Sequence, residues 1–216
     1  MLTLDAVEVG VPREFHDDLR LADQVVAEVQ GPDGGLCVLT YVVDQPSEVE
    51  TVLATAVRHG AQVLKPPKKS LFAGFAASCR APGGSVWKLT APTRKDTGPA
   101  AESPSPTELV AILGVADPPA SKAFYEALGM KVDRDYGAKF IDFQLTPGLP
   151  RLGLMNRAAL AKDAGAGASP AVLTCTVDSR SAVEAILTTA NSAGGRSADG
   201  EFTDPDGYLW KVRVAP

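Results

Sequence analysis

Histidine is nearly missing from this 216-residue chain. There are two, His16 and His59, so a metal centre built mainly on imidazole is excluded. Cysteine is scarce and odd in number. Cys37, Cys79 and Cys175 form no C-x-x-C pair, which excludes a disulfide framework and a zinc ribbon and leaves free thiols in a reducing compartment. Cys79 has Arg80 beside it, the one thiol with a basic neighbour in sequence. No apolar run approaches the roughly 20 residues that span a bilayer. The start, Met1-Leu-Thr-Leu-Asp-Ala-Val, lacks a basic segment followed by an apolar one, so a cytoplasmic location without a signal peptide is expected. Basic clusters are also lacking. Lys and Arg total 21 against 26 Asp and Glu, the net charge is -5, and nothing resembles a nucleic-acid footprint. No phosphate loop, dinucleotide fingerprint or nucleophile–base pair occurs, so no catalytic residue can be named.

What the chain does have is a repeat. Val38-Leu-Thr-Tyr-Val-Val-Asp begins a stretch ending at Gly60, and Val172-Leu-Thr-Cys-Thr-Val-Asp begins one ending at Gly194. Aligned without gaps, about half of the positions are identical. Each copy closes on a related turn and strand, Ala81-Pro-Gly-Gly-Ser-Val-Trp-Lys-Leu89 and Asp204-Pro-Asp-Gly-Tyr-Leu-Trp-Lys-Val212. Two matches in the same order indicate duplication. Between the halves lies a segment rich in Pro, Ala, Ser and Thr, which has linker composition. The domains read as residues 1–92, a linker 93–106, and residues 107–216.

Each copy is legible locally. Val38 to Val43 is an apolar, partly β-branched run, hence a strand. Asp44 or Ser47 is placed to cap a helix in which Val49, Val52, Leu53 and Ala56 share one face. His59 and Gly60 end it. The second half adds a strand over Leu109–Val115 and a helix after Asp117 with Phe124, Tyr125 and Leu128 inward. Strands near 139–145 and 152–156 follow. The order strand, helix, strands predicts an α+β fold.

Leu113-Gly-Val-Ala-Asp117, the helix segment Ala120-Ser-Lys-Ala-Phe-Tyr-Glu-Ala-Leu-Gly-Met130, and Phe202-Thr-Asp-Pro-Asp-Gly-Tyr-Leu-Trp210 resemble the vicinal oxygen chelate superfamily of glyoxalase I, extradiol dioxygenases and bleomycin-resistance proteins. The resemblance covers nearly the whole chain and implies tandem βαβββ modules forming two half-barrel domains. The first module is abbreviated: Pro12-Arg-Glu-Phe-His-Asp-Asp-Leu19 is a poor substitute for a full helix, and Gln24–Gln30 reads as a strand. In metal-dependent members, His, Glu or Gln stand at fixed places. Those places hold Leu4, Val38 and Lys88 in the first half and Val110, Val172 and Lys211 in the second. None is a competent ligand, so no metal and no other cofactor is expected.

Strand alternation extends this to candidate binding residues. If Lys88 and Lys211 occupy former ligand positions, they point into cavities. Trp87 and Trp210 then point toward the helices as core residues. By the same parity Glu8 and Thr40 join Lys88 in the first cavity, where Glu8 is a candidate counter-charge. Thr174 and Arg213 join Lys211 in the second, with Val110 and Ile112. Phe72 and Phe75, in the basic and aromatic stretch Lys65–Phe75, either rim a binding mouth or pack a hairpin. Lys88 and Lys211 either anchor an anionic ligand or neutralise a dead site. Three functions stay open: a binding protein for a small molecule, a metal-independent lyase or isomerase with a Lys base, and a metal-dependent dioxygenase-type enzyme. The expected partner is a small molecule rather than nucleic acid or membrane, and a homodimer stays open.

Overall fold

A computed structural model describes residues 1–27, 35–70 and 74–216; of Ser70, only its backbone is described. The chain folds as four successive modules. The first is short: β1 (Ala6–Glu8), α1 (Arg13–Asp18), one 3-10 turn (Ala22–Gln24) and β2 (Val25–Val26). The second is a complete βαβββ unit, with β3 (Cys37–Val42), α2 (Pro46–Arg58), β4 (Gln62–Ser70), β5 (Gly74–Arg80) and β6 (Val86–Ala91). The third follows suit, with β7 (Glu108–Val115), α3 (Pro118–Ala127), β8 (Val132–Asp135), β9 (Ile141–Phe143) and β10 (Arg151–Asn156). An extra helix, α4 (Arg157–Ala164), comes next. The fourth module is β11 (Val172–Val177), α5 (Arg180–Ser192), β12 (Arg196–Ala198), β13 (Glu201–Thr203) and β14 (Leu209–Val214).

The strands form two sheets, and each draws on both sides of the linker. Eight strands run β4-β5-β6-β3-β7-β10-β9-β8, joining modules two and three. Six run β12-β13-β14-β11-β1-β2, joining modules four and one. The junctions are antiparallel ladders, Thr40 opposite Val110 in the larger sheet and Ala6 opposite Thr174 in the smaller. The residue groupings by half therefore need correcting. Val110 and Ile112 share a face with Thr40 and Lys88, while Glu8 lies with Thr174 and Lys211. Parity within a strand is local and was readable; which strands pair is set by long-range burial, on which local alternation is silent.

The helix-facing sides hold the main core. Trp87 and Trp210 are fully buried there, as their parity required. Trp87 donates to Ser85 Oγ at 2.9 Å and lies 5.8 Å from the Phe15 ring. Trp210 stacks on Phe202, with 5.8 Å between centroids and planes 6° apart. Phe15 explains why so short an α1 persists: one buried aromatic anchors six residues, far below the length at which helices are stable alone.

Residues 93–106 are tied down despite their composition. The carboxamide oxygen of Gln45, a buried residue, accepts from the backbone N–H of Thr97 and of Gly98, and Glu48 accepts from Ala101 N–H. Tyr41 donates its hydroxyl to the carbonyls of Leu19 and Pro104 at 2.9 and 3.0 Å. Neither expected side-chain cap forms on α2; Gln45 is its N-cap residue, and Ser47 N–H instead donates to Asp96. No helix among the described residues is long and apolar enough to cross a membrane.

Candidate functional site

The six-stranded sheet presents a charged cluster on the side away from the helices. Glu8 stands on β1, between Val7 and Val9, both turned into the core. It is 2% exposed, yet it is a carboxylate, so partners are required. Lys211 supplies one at 2.6 Å and Arg213 a second at 3.1 Å, both from β14. Thr174 on β11 donates its hydroxyl to Glu8 at 3.2 Å. Ladder register explains the convergence: Thr174 faces Ala6 on one side and Lys211 on the other, with Thr176 opposite Arg213. Lys211 and Arg213 are two residues apart on one strand, so alternation puts both on the same face. Two cations share one carboxylate, and the Arg213 side chain is 56% exposed. The helix packed on these strands, α5, lies on the opposite side, where Ile186 and Ala190 join Trp210 in the core.

The matching side of the eight-stranded sheet is closed. Leu160 and Ala164 of α4 lie against Val38, Val86, Leu64 and Ile112 in a second, separate apolar cluster. Lys88 binds Asp163 of α4 at 2.5 Å. Lys65 donates to the carbonyls of Lys162 and Asp163, and Ser78 donates to that of Ala164 at 2.7 Å. Cations at a helix C-terminus also favour the helix dipole. The sequence reading missed α4, although Asn156 and Gly165 flank a run of helix formers. Asn156 accepts from Ala158 and Ala159 N–H, and Gly165 closes the helix with φ +81°. Those flanks were a usable signal.

Glu8, Thr174, Lys211 and Arg213 come together. Thr40 and Lys88 sit opposite one another on the other sheet, and Lys88 is paired with Asp163 instead of Glu8. Phe75 packs against the main core on the helix side, so it rims neither concave face. Phe72 lies outside the described residues, as do residues 28–30 of the expected strand 24–30, of which Val25–Val26 forms. Leu4 precedes β1 and turns into the core rather than a cavity. His59 binds Asp18 at 2.8 Å, and His16 hydrogen-bonds the carbonyls of Ala22 and Val25. Both imidazoles fasten α1 to its surroundings.

The donor set does not fit a divalent cation. Lys88 and Lys211 present ammonium groups where the resemblance would place carboxylates, and each has already drawn a carboxylate to itself. Among the described residues no three His, Cys, Asp or Glu gather at one point. The thiols offer no alternative nucleophile: burial pushes those of Cys37 and Cys79 up to about 12. A crevice of about 330 Å³ lies elsewhere, between α1, α2 and the linker. It sets Arg20 and Arg58 against Asp17, Asp18 and Glu102, one negative charge more than positive, which does not suit an anionic ligand. The convergent charges on the six-stranded sheet mark the stronger candidate.

Solved structures share this architecture. Glyoxalase I from Zea mays matches over 98% of this chain and 92% of its own, with a TM-score of 0.66 and 15% identity. A putative dioxygenase from Bacillus subtilis subsp. subtilis str. 168 matches over 100% of this chain and 77% of its own, at TM-score 0.57 and 11% identity. No protein-family model and no curated sequence matches the chain. At such identities the likeness speaks for fold and not for activity. Three modules complete or nearly so, one abbreviated, and two sheets each built from a pair of modules give the chain the vicinal oxygen chelate fold, the architecture of glyoxalase I.

Proposed function

We propose that the protein binds a small anionic molecule on the concave face of its six-stranded sheet, without a metal. The observation that carries this reading is the pairing of Lys211 and Arg213 with the single buried carboxylate of Glu8. Within the cluster the cations outnumber the buried carboxylate by one; Glu201, opposite Lys211 on β13, adds a second acid to the face, so Arg213 at its exposed edge is the cation left to meet a ligand. The exposed guanidinium of Arg213 is free to turn toward a carboxylate or phosphate and grip it through two N–H groups. Thr174, Leu209 and Ala6 on the same face supply one hydroxyl and apolar surface for the body of the ligand. Glu8 fixes both cations before the ligand arrives, which lowers the ordering cost of binding.

Benzoate, inorganic phosphate and neutral benzyl alcohol test the reading by calorimetric titration. An anion should bind at least tenfold more tightly than benzyl alcohol, and Lys211→Met or Arg213→Gln should remove that preference. Equal affinity for charged and neutral probes, or unchanged anion binding in both variants, would refute it.

A further inference from the structure

The larger sheet carries a receptor that the chain fills with itself. Its concave face combines an apolar floor, Val38, Val86 and Ile112, with three polar donors, Lys65, Ser78 and Lys88, along its β4-β5-β6 side. Ladder register puts those donors in one row: Lys65 opposite Ser78, Ser78 opposite Lys88, Lys88 opposite Thr40. All three donors are spent on one short helix end. The fourth member, Thr40, is 8% exposed, and its hydroxyl has no partner among the described residues. A buried hydroxyl left unsatisfied next to an ammonium is a place where an acceptor is wanted and α4 does not supply one.

The helix itself has a weak claim to stand alone. It has eight residues, well short of what is stable in isolation, and it has almost no amphipathic character of its own. What holds it is the sheet: Leu160 and Ala164 on the floor, and Asp163 at Lys88. In chemical terms the seated end of α4 is an apolar body bearing a carboxylate. We propose that this face is a second binding site, for an apolar carboxylate, and that α4 occupies it as a tethered internal ligand, with Asp163 in the carboxylate position and Leu160 in the apolar one. Tethering keeps the local concentration of the occupant in the millimolar range or above, so a free ligand competes only when it binds well or when α4 is weakened. The proposal is independent of the reading of the six-stranded face, since it turns on Lys88 and not on Lys211.

Vacating the carboxylate position tests it. Asp163→Ala leaves Lys88 facing an empty place that benzoate can enter. Thermal unfolding with and without benzoate is compared for Asp163→Ala and for Asp163→Ala combined with Lys88→Met. Benzoate in about twentyfold excess over its dissociation constant should raise the Tm of the single variant by about 4 °C more than that of the double variant. The difference between the two cancels any binding at Lys211. Asp163→Asn, which keeps the shape and loses the charge, provides the same comparison if the alanine variant does not fold. In that variant the rise is smaller but still requires Lys88. Hydrogen exchange of the α4 amides adds a second readout in Asp163→Ala, where the helix is weakened, since benzoate should speed it there by taking the place of Leu160. A Tm rise that does not depend on Lys88 in either background would overturn the proposal, as would α4 exchange in the weakened variant that benzoate leaves unchanged.

Discussion

Replacing Lys211 with Met and Glu8 with Leu, singly and together, probes the charged cluster most directly. Glu8 is almost wholly buried, whereas the Lys211 side chain is 24% exposed and that of Arg213 56%. Breaking a fully buried pair costs about 3–5 kcal/mol, and an exposed pair contributes about 0–1. Lys211 stands between these limits, so Lys211→Met should destabilise by about 2 kcal/mol, with Arg213 and Thr174 still supporting the carboxylate. Glu8→Leu should cost about 2 kcal/mol as well, because it strands two neighbouring cations and the Thr174 hydroxyl, while Arg213 can turn to water. The double variant replaces the pair with apolar groups, and a deleted pair is close to neutral, so its loss should be about 1 kcal/mol. The coupling is then about 3 kcal/mol, at the upper end for residues in direct contact. Urea unfolding followed by tryptophan fluorescence suits the measurement, since Trp87 and Trp210 are both fully buried. If the single losses simply add, with coupling under about 0.5 kcal/mol, the cluster is not the unit described here.

Other expectations follow from single contacts. Asp204 is buried and its carboxyl is pushed up to about 6, chiefly by desolvation. The fold thus favours the protonated form, and that contribution is full below about pH 4 and lost as pH rises through 6. It is worth at most about 3 kcal/mol. The stability of the wild type relative to Asp204→Asn should fall between pH 4 and 7, and a flat difference would be contrary. A thiol reagent should label no cysteine in the native protein and all three once unfolded, because Cys37, Cys79 and Cys175 are buried. Tyr41→Phe removes a hydroxyl that ties Leu19 and Pro104 to β3 and should lower stability by about 1–2 kcal/mol in urea unfolding. It should also make residues 93–106 more susceptible to limited proteolysis, and unaltered cleavage would count against that tie.

The local code of this chain was readable. The apolar run at Val38–Val43, the helical spacing of Val49, Val52, Leu53 and Ala56, and the repeated Gly turn before each Trp-Lys pair depend on neighbours within a few residues. So did the direction of Lys88 and Lys211, because alternation along a strand needs no knowledge of its partners. Pairing was different. Glu8 meets Lys211 and not Lys88 because β1 lies against β11, more than 160 residues away, and that choice depends on which edges best bury each other's apolar faces. The occupant of the larger half-barrel was likewise a matter of tertiary structure. The run Arg157–Ala164 announces a helix through Asn156 and Gly165, but nothing within it says that its end will seat against Lys65, Ser78 and Lys88, residues contributed by three strands of another module. Sequence determined which groups each strand would offer; the assembled sheets decided which of them would meet, because a charge inside a protein must find its partner wherever the fold brings one.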